Sequence, residues 1–268
     1  MTIGISPAGW GHGAAAVLAA VVLGMGCSSA TAAVGCAEAD RESGARRILF
    51  IGNSLTYSNG LPYMFAALAD SAGEAAPVVE QVALPDFGLE QHWEDGQAAR
   101  AIRSRCWDVV VLQQGPSSLA ESRALLLDYA GRYAEIIRAQ GGRPALFSVW
   151  PSASRQRDFE RAIESYALAA DAVDGTLLPA ATAWLQAWER DPGLALYSDG
   201  LHPTPQGTYL AAAVMVGRLY GRSPLELPAR LEYRVTGAGG TQRLTLDAAT
   251  ARTLREAAQA ALALHPED

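Results

Sequence analysis

One serine and one aspartate–histidine pair in this sequence have the residue types needed for nucleophilic catalysis. Ser54 lies in the segment Gly-Asn-Ser-Leu-Thr at 52–56, directly after a short apolar run. Asp199 and His202 stand three residues apart in the segment Asp-Gly-Leu-His-Pro at 199–203. A turn of that length can bring the carboxylate to one imidazole nitrogen and leave the other facing a hydroxyl. We therefore predict a serine nucleophile with His202 as its base and Asp199 as the residue that orients the base.

The chain has 4 histidines, and their positions favour His202 as the base. His12 falls in the N-terminal leader and His265 in the charged C-terminal tail, which leaves His92 and His202. His92 has acidic neighbours but no short turn that would pair it with one of them. We predict that His92 is a surface residue or lies at the rim of the site.

Apolar runs alternate with amphipathic segments from residue 47 onward, and this alternation predicts the elements that position these residues. The continuous apolar runs predict buried strands at 47–52, 77–84, 107–113, 145–150 and 176–180. Helical spacing predicts helices at 61–72, 94–105, 122–140, 158–173, 205–220 and 247–264.

Strand–helix alternation predicts an α/β fold, a parallel sheet with helices on both faces. Ligands bind beyond the carboxyl ends of the strands in such sheets, and Ser54 follows the first strand. The segment 231–246 has the pattern of a hairpin, which we expect to be appended to the main sheet. We predict one domain, 34–268, ending in this hairpin and a helix.

The first 33 residues have the features of an export signal. Their apolar core, 14–25, is too short to span a bilayer, and the small residues at 28–33 offer a cleavage site. The chain is thus expected to be exported, periplasmic or secreted, with no transmembrane segment. Lipid attachment at Cys27 is the less favoured alternative, because the expected leucine is missing three residues before it.

The charge of the chain bears on which kinds of molecule it can bind. The net charge of −7 and the lack of a basic run make nucleic acid and an anionic membrane surface unfavourable partners.

After signal cleavage Cys36 and Cys106 remain, and an oxidising compartment would permit a disulfide between them. Two unrelated thiols are the alternative.

The two motifs together resemble the SGNH, or GDSL-like, hydrolase family. The segment Ile-Leu-Phe-Ile-Gly-Asn-Ser-Leu-Thr at 48–56 resembles the first family block, with asparagine in place of the aspartate of G-D-S-L. The segment at 199–203 resembles the last block, D-x-x-H-P, and the order along the chain is the same. Over residues 47–220 the resemblance implies a flavodoxin-like three-layer α/β/α sandwich, and ester hydrolysis without a metal or organic cofactor.

The resemblance also implies an oxyanion hole formed by the Ser54 N–H, a glycine N–H after the second strand and a side-chain donor. Gly88 stands at the glycine position. The third block, normally G-x-N-D, departs from the family and reads Gln-Gln-Gly-Pro-Ser-Ser at 113–118. Direct alignment makes Ser117 the donor, whereas similarity to the Q-G-E variant of sialate and acetylxylan esterases makes it Gln114. We favour Gln114 because its amide carries N–H groups, and Gln113 is a third candidate.

The expected function is that of an exported serine esterase acting on a small-molecule or glycan ester. Four aromatic residues expected at the rim of the site suit removal of an acetyl group from a sugar: Tyr57, Tyr63, Trp93 and Trp150. A lipid or short-chain carboxylic ester is the alternative substrate. An SGNH-like module that binds glycans without catalysis is the alternative function. No G-x-S-x-G, C-x-x-C, H-E-x-x-H or Walker motif is present in the sequence.

Overall fold

A parallel sheet of five strands, in the order β2-β1-β3-β4-β5, forms the centre of the protein within residues 44–266, the part of the chain that the computed structural model describes. The order is that of flavodoxin-like sheets, which confirms the predicted fold class. The strands are β1 (Arg47–Gly52), β2 (Val78–Ala83), β3 (Val109–Leu112), β4 (Arg143–Phe147) and β5 (Thr176–Leu178).

Helices cover both faces of this sheet. The helices are α1 (Ser54–Tyr57), α2 (Leu61–Ser71), α3 (Leu89–Asp95), α4 (Gln97–Ser104), α5 (Ala120–Ala139), α6 (Phe159–Ala172), α7 (Ala180–Arg190), α8 (Pro205–Tyr220) and α9 (Ala248–Leu264). One layer is the contacting series α3, α4, α5 and α6, and the other contains α2, α7, α8 and α9. The central strand β3 is buried at every residue, because apolar side chains on both of its faces meet a helical layer.

Two helical segments differ from the prediction. The predicted helix 94–105 is interrupted at Gly96, whose φ of 76° is left-handed, so that α3 ends there and α4 begins. Helix α7 was not predicted, since the expected strand 176–180 runs into it without a polar capping residue. The residue before α7 is Pro179, which makes no side-chain capping bond.

The C-terminal hairpin is present, but the prediction that it joins the main sheet is wrong. Strands β6 (Arg230–Val235) and β7 (Gly240–Thr245) pair only with each other, as a separate antiparallel sheet. Alternate residues Leu231 and Tyr233 are buried, and β6 packs on α2. The Tyr233 hydroxyl donates to the Asn59 carbonyl at 2.7 Å. The apolar face of the hairpin is therefore covered by a helix rather than by a strand edge.

Cys106 is disulfide-bonded and lies three residues before β3. The predicted partner Cys36, the lipid-anchor candidate Cys27 and the export signal 1–33 lie outside the described residues, so these remain predictions. No helix within residues 44–266 has the length and apolar character needed to cross a membrane.

His92 is buried beneath the end of β1, so the prediction of a surface or rim position is wrong. Its side chain is 0% exposed, and its Nε2 donates to the Gly52 carbonyl at 2.7 Å. The Nδ1 atom is buried without a hydrogen-bond partner. Burial lowers the pKa of His92, outweighing the Gly52 hydrogen bond and the charge of Asp95, which both raise it. The folded protein therefore favours a neutral ring.

The lowered pKa makes stability depend on pH. The unfolded state binds more protons than the folded state once the pH falls below about 6.5. We therefore expect the unfolding free energy to decrease from pH 7 to pH 5. His265, whose pKa is lowered by burial and by Arg218, contributes in the same direction.

His92→Gln can keep a donor for the Gly52 carbonyl but cannot titrate, so its unfolding free energy should fall less over this pH range. Urea denaturation at pH 7, 6 and 5 measures this difference. His265→Gln serves as the control for the second histidine. If the unfolding free energy of the His92 variant depends on pH as that of the wild type does, the lowered pKa of His92 is not the cause.

Candidate active site

Ser54 is the first residue of α1, in a tight turn that immediately follows β1. Asn53 caps this turn: its Oδ1 accepts from the Leu55 N–H at 3.1 Å. Its carbonyl accepts from the Thr56 and Tyr57 N–H groups at 2.9 and 3.1 Å. Asn53 thus accepts hydrogen bonds from the three N–H groups that follow Ser54. The Ser54 N–H itself makes no hydrogen bond within residues 44–266, as expected at a first helical position.

Gln113 holds this turn from the neighbouring strand end. Its Oε1 accepts from the Asn53 N–H at 2.9 Å and from the Thr56 hydroxyl at 2.7 Å, and its Nε2 donates to Asn53 Oδ1 at 3.1 Å. The remaining amide hydrogen goes to the Gln114 carbonyl. A Cβ at Gly52 would overlap Gln113 Oε1, so only glycine lets the two strand ends approach so closely. Gln113 is fully engaged in bracing the turn, with no N–H left for an oxyanion.

Asp199 and His202 form the pair that the sequence predicted. The His202 Nδ1–H donates to Asp199 Oδ2 at 2.6 Å. The other carboxylate oxygen accepts from the Leu201 and His202 N–H groups at 2.9 and 2.8 Å. The His202 hydrogen bond and these two backbone bonds lower the pKa of Asp199 to about 2. The carboxylate is ionised at neutral pH, and the Nδ1 bond leaves the imidazole Nε2 as the nitrogen that can accept a proton.

The loop that carries this pair is fixed from two sides. Asn59, which lies between α1 and α2, donates to the Pro203 carbonyl at 2.9 Å. The Ala153 N–H, in the loop after β4, donates to the Gly200 carbonyl at 2.8 Å. The Ser54 hydroxyl and the His202 ring are not hydrogen-bonded to each other in the described part of the chain, and such bonds often tighten only when substrate binds.

A cleft of about 630 Å³ opens at the carboxyl ends of the strands. Ser54, Gly88 and Gln114 line it, from the loops after β1, β2 and β3, and Leu201 lines it from the loop that carries His202. The volume is in the range of small-molecule sites. The structure thus brings the predicted nucleophile and the predicted oxyanion residues to one surface.

Three exposed leucines give this cleft part of its apolar lining. Leu119, Leu125 and Leu201 are 48%, 38% and 38% exposed, and all three line the cleft. We call these three residues the leucine rim. Ligand pockets are lined mostly by hydrophobic side chains, so these leucines offer an apolar surface to a ligand.

The predicted aromatic rim is wrong, because none of its four members lines the cleft. Trp150 is fully buried and stacks on Trp184 with ring centroids 3.7 Å apart. Trp93 packs edge-on against Tyr133. The Tyr63 hydroxyl meets the Thr236 hydroxyl beyond the end of β6, 2.5 Å away. Tyr57, the fourth member, is half-buried at the end of α1.

Gln114 lines the cleft, but its amide hydrogens do not face it. Nε2 donates to the Ser117 hydroxyl at 2.8 Å and to the Ser122 carbonyl at 2.9 Å. Its Oε1 lies on the Gly88 side, 3.6 Å from the position that a Gly88 Cβ would take. Since an amide carries two N–H groups, Gln114 has none left for an oxyanion in this arrangement. The prediction that the Gln114 nitrogen faces Ser54 is therefore wrong.

The loop after β3 is held by residues that the sequence did not reveal. The Tyr166 hydroxyl accepts from the Gln114 N–H at 3.1 Å and donates to the Gln114 carbonyl at 2.9 Å. Ser165 donates to the carbonyl of Ser117, the alternative donor residue, at 2.6 Å. Burial raises the pKa of Tyr166, which stays neutral. Both side chains lie on the buried face of α6, where helical spacing indicates only a core position.

Gly88 adopts the extended conformation expected of a helix N-cap, and its N–H points to a side chain of the same helix. The N–H donates to Gln91 Oε1 at 2.8 Å, and Gln91 also lines the cleft. Gln91 Nε2 in turn donates to Glu90 Oε2 at 3.2 Å. Gln91 is not among the residues that the sequence predicted for the site. The signal available was its position three residues after a capping glycine.

One positive charge lies at the edge of the cleft near β4. The Arg155 Nε donates to Asp158 Oδ2 at 2.7 Å, and Arg161 bonds the other oxygen of the same carboxylate. Both arginines lower the pKa of Asp158, Arg161 more strongly. Within the described residues no group of three or more His, Cys, Asp or Glu side chains is arranged to hold a metal ion.

Comparison with solved structures places this arrangement in a known fold. A protein from Slackia heliotrinireducens assigned to the SGNH hydrolases is 28% identical, with a TM-score of 0.56 over 65% of this chain and 99% of that one. A DUF4886 family protein from Bacteroides uniformis is 18% identical, with a TM-score of 0.63 over 84% of this chain and 96% of that one.

An acetylxylan esterase from Geobacillus stearothermophilus is 15% identical, with a TM-score of 0.51 over 66% of this chain and 95% of that one. No protein-family model and no curated protein sequence gives a significant match. The strand order and the cleft at the strand ends are those expected of the fold that these solved structures share. The chain has the SGNH hydrolase fold.

Proposed function

We propose that this protein is an exported serine ester hydrolase with Ser54 as nucleophile, His202 as general base and Asp199 as the residue that orients the base. The observation that carries the proposal is the 2.6 Å bond from His202 Nδ1 to an ionised Asp199, on a loop anchored beside the Ser54 cleft. This bond fixes the tautomer in which Nε2 can accept a proton.

The proposed reaction has two steps that share one proton relay. The Ser54 hydroxyl attacks the acyl carbon, and its proton passes to His202 Nε2. The negative oxygen of the tetrahedral intermediate is stabilised by the N–H groups of Ser54 and Gly88. The alcohol leaves with the proton from His202, and water, activated by the same nitrogen, then releases the acid from Ser54.

Substitution of the two residues tests the mechanism. Ser54→Ala should lower kcat/KM for 4-nitrophenyl esters by roughly 10³-fold or more and abolish labelling by a fluorophosphonate probe, because no other nucleophile replaces it. His202→Ala should lower kcat/KM nearly as much. His92→Ala should lower the melting temperature but retain more activity per folded molecule.

A His92 variant as inactive as the His202 variant would contradict the choice of base. If the wild type is not labelled and hydrolyses no ester, the alternative of an inactive module that binds glycans is favoured. A melting curve for each variant separates loss of fold from loss of chemistry.

The cleft favours an ester with an apolar acyl chain over a sugar-bound acetyl group. Its leucine rim offers apolar surface for an acyl chain, whereas the aromatic residues expected to stack on a sugar are elsewhere. Among proteins of similar fold, the Geobacillus enzyme acts on acetylxylan by its description, and this keeps removal of acetyl groups from a glycan as the second candidate. Both candidates use the same catalytic residues.

Chain-length preference distinguishes these substrates. Wild-type kcat/KM should be higher for 4-nitrophenyl octanoate than for the acetate. The double variant Leu119→Gln and Leu125→Gln should lose roughly tenfold or more on the octanoate, the effect of withdrawing about one leucine of apolar contact, and change little on the acetate. Leu168→Gln, at a leucine 42% exposed on α6 and outside the cleft, is the matched control.

A preference for the acetate, or for acetylated xylan, with no effect of the double variant would contradict the apolar assignment. The serine mechanism would stand in that case.

A further inference from the structure

The N–H of Gly88 has two candidate acceptors in the proposed mechanism, and one of them is already in place. In the free protein, Gln91 Oε1 accepts this N–H at 2.8 Å. In the proposed reaction, the same N–H stabilises the substrate oxyanion. An N–H group donates one strong, straight hydrogen bond at a time, so the two uses compete.

Gln91 is held in this position by bonds at both ends of its amide. While Oε1 accepts from Gly88, Nε2 donates to Glu90 Oε2 at 3.2 Å. Glu90 Oε1 accepts from the Tyr129 hydroxyl at 3.3 Å, which ties the chain of contacts to α5. The position of Gln91 on the Gly88 N–H is therefore supported by neighbours as well as by its own helix.

Gln91 also lies where a ligand in the cleft would meet it. It lines the cleft with Ser54 and Gly88, and its Oε1 lies 2.9 Å from the position that a Gly88 Cβ would take. Its side chain is exposed, so its amide can be hydrated once it leaves. We propose that Gln91 is an internal cap of the oxyanion site, which the substrate carbonyl displaces. This inference rests on the proposed function, because it takes the Gly88 N–H as an oxyanion donor.

The same contact stabilises α3, so activity and stability should respond in opposite directions. A glutamine at the third helical position that bonds the N-cap N–H is half of a capping box, and its removal weakens the helix start. Gln91→Ala should therefore lower the melting temperature and raise kcat/KM by roughly three- to tenfold, the factor that corresponds to one net hydrogen bond. A loss of fold cannot produce this combination.

Gln91→Glu should act in the reverse sense. A carboxylate binds the Gly88 N–H more strongly than an amide oxygen does, and it is favourable in the first turn of a helix. The melting temperature should change little, because this gain is offset by loss of the Nε2 bond to Glu90 Oε2 and by repulsion between the two carboxylates. At the same time kcat/KM should fall by about 100-fold, as for loss of one oxyanion donor, since the fixed negative charge also opposes the developing oxyanion.

The experiment measures both variants on 4-nitrophenyl butyrate, together with binding of a trifluoromethyl ketone, whose adduct with the serine carries an oxyanion. Gln97→Ala and Gln97→Glu are the matched controls, because Gln97 is exposed in the first turn of α4 and does not line the cleft. Both controls should leave kcat/KM and inhibitor binding within twofold of the wild type. Inhibitor binding should tighten in Gln91→Ala and weaken in Gln91→Glu.

The Gly88 amide resonance in a ¹⁵N-labelled protein reports the cap without reference to activity, and it should shift upfield in the free Gln91→Ala variant. A Gln91→Ala variant that is tenfold less active, or a Gln91→Glu variant with wild-type activity, would overturn the proposal. An unshifted Gly88 resonance would overturn it even in a protein that hydrolyses no ester. Absence of wild-type esterase activity and probe labelling would instead count against the proposed function.

Discussion

The carbonyl oxygen of Gly52 is the point on which the geometry of the cleft depends. It accepts two hydrogen bonds, one from the Leu84 N–H at 3.1 Å and one from the buried ring of His92 at 2.7 Å. The first fixes the end of β2 and the second fixes α3, whose N-cap is Gly88. The turn that presents Ser54 starts one residue later. A single peptide group therefore sets Ser54 and the Gly88 N–H relative to each other.

The asparagine that replaces the aspartate of the G-D-S-L pattern follows from the same constraint. The Asn53 side chain lies in a buried position, where it accepts from the Leu55 N–H and from Gln113 Nε2 and donates to the Phe87 carbonyl at 2.9 Å. An ionised aspartate could accept these bonds but not donate, so the Phe87 carbonyl would lose its partner. The amide suits a turn that is linked to the loop before Gly88, and it needs no buried charge.

The sequence predicted those parts of the site that depend on neighbours along the chain. Asp199 and His202 lie on one short loop, and Ser54 directly follows an apolar strand. Local spacing was therefore sufficient to predict the Asp199–His202 contact and the position of Ser54 at a strand end. The orientation of the Gln114 amide was predicted wrongly because it is decided by the Ser117 hydroxyl and the Ser122 carbonyl, which reach Nε2 only through the fold of the loop. The backbone of that loop is in turn fixed by the Tyr166 hydroxyl, 52 residues away. Likewise nothing in the residues around His92 shows that the Gly52 carbonyl accepts a hydrogen bond from its ring. Helix α7 was missed for another reason, since it has no polar start signal.

Backbone conformation around the cleft shows how firmly its loops are held. Asp86 and Ser117, which line the cleft, and Asn59, which anchors the loop of Asp199 and His202, have φ values of 61°, 56° and 53°. Such left-handed conformations cost of order 1–3 kcal/mol at residues other than glycine and persist only where surrounding contacts enforce them. Ser117 is enforced by the bond from Ser165 to its carbonyl, and Asn59 by its bonds to Pro203 and Thr208. At Ser117 and Asn59, contacts from distant elements thus fix the backbone of the loops. We therefore expect a bound ligand to displace exposed side chains at the cleft surface, such as Gln91, rather than the backbone at Ser117 or Asn59.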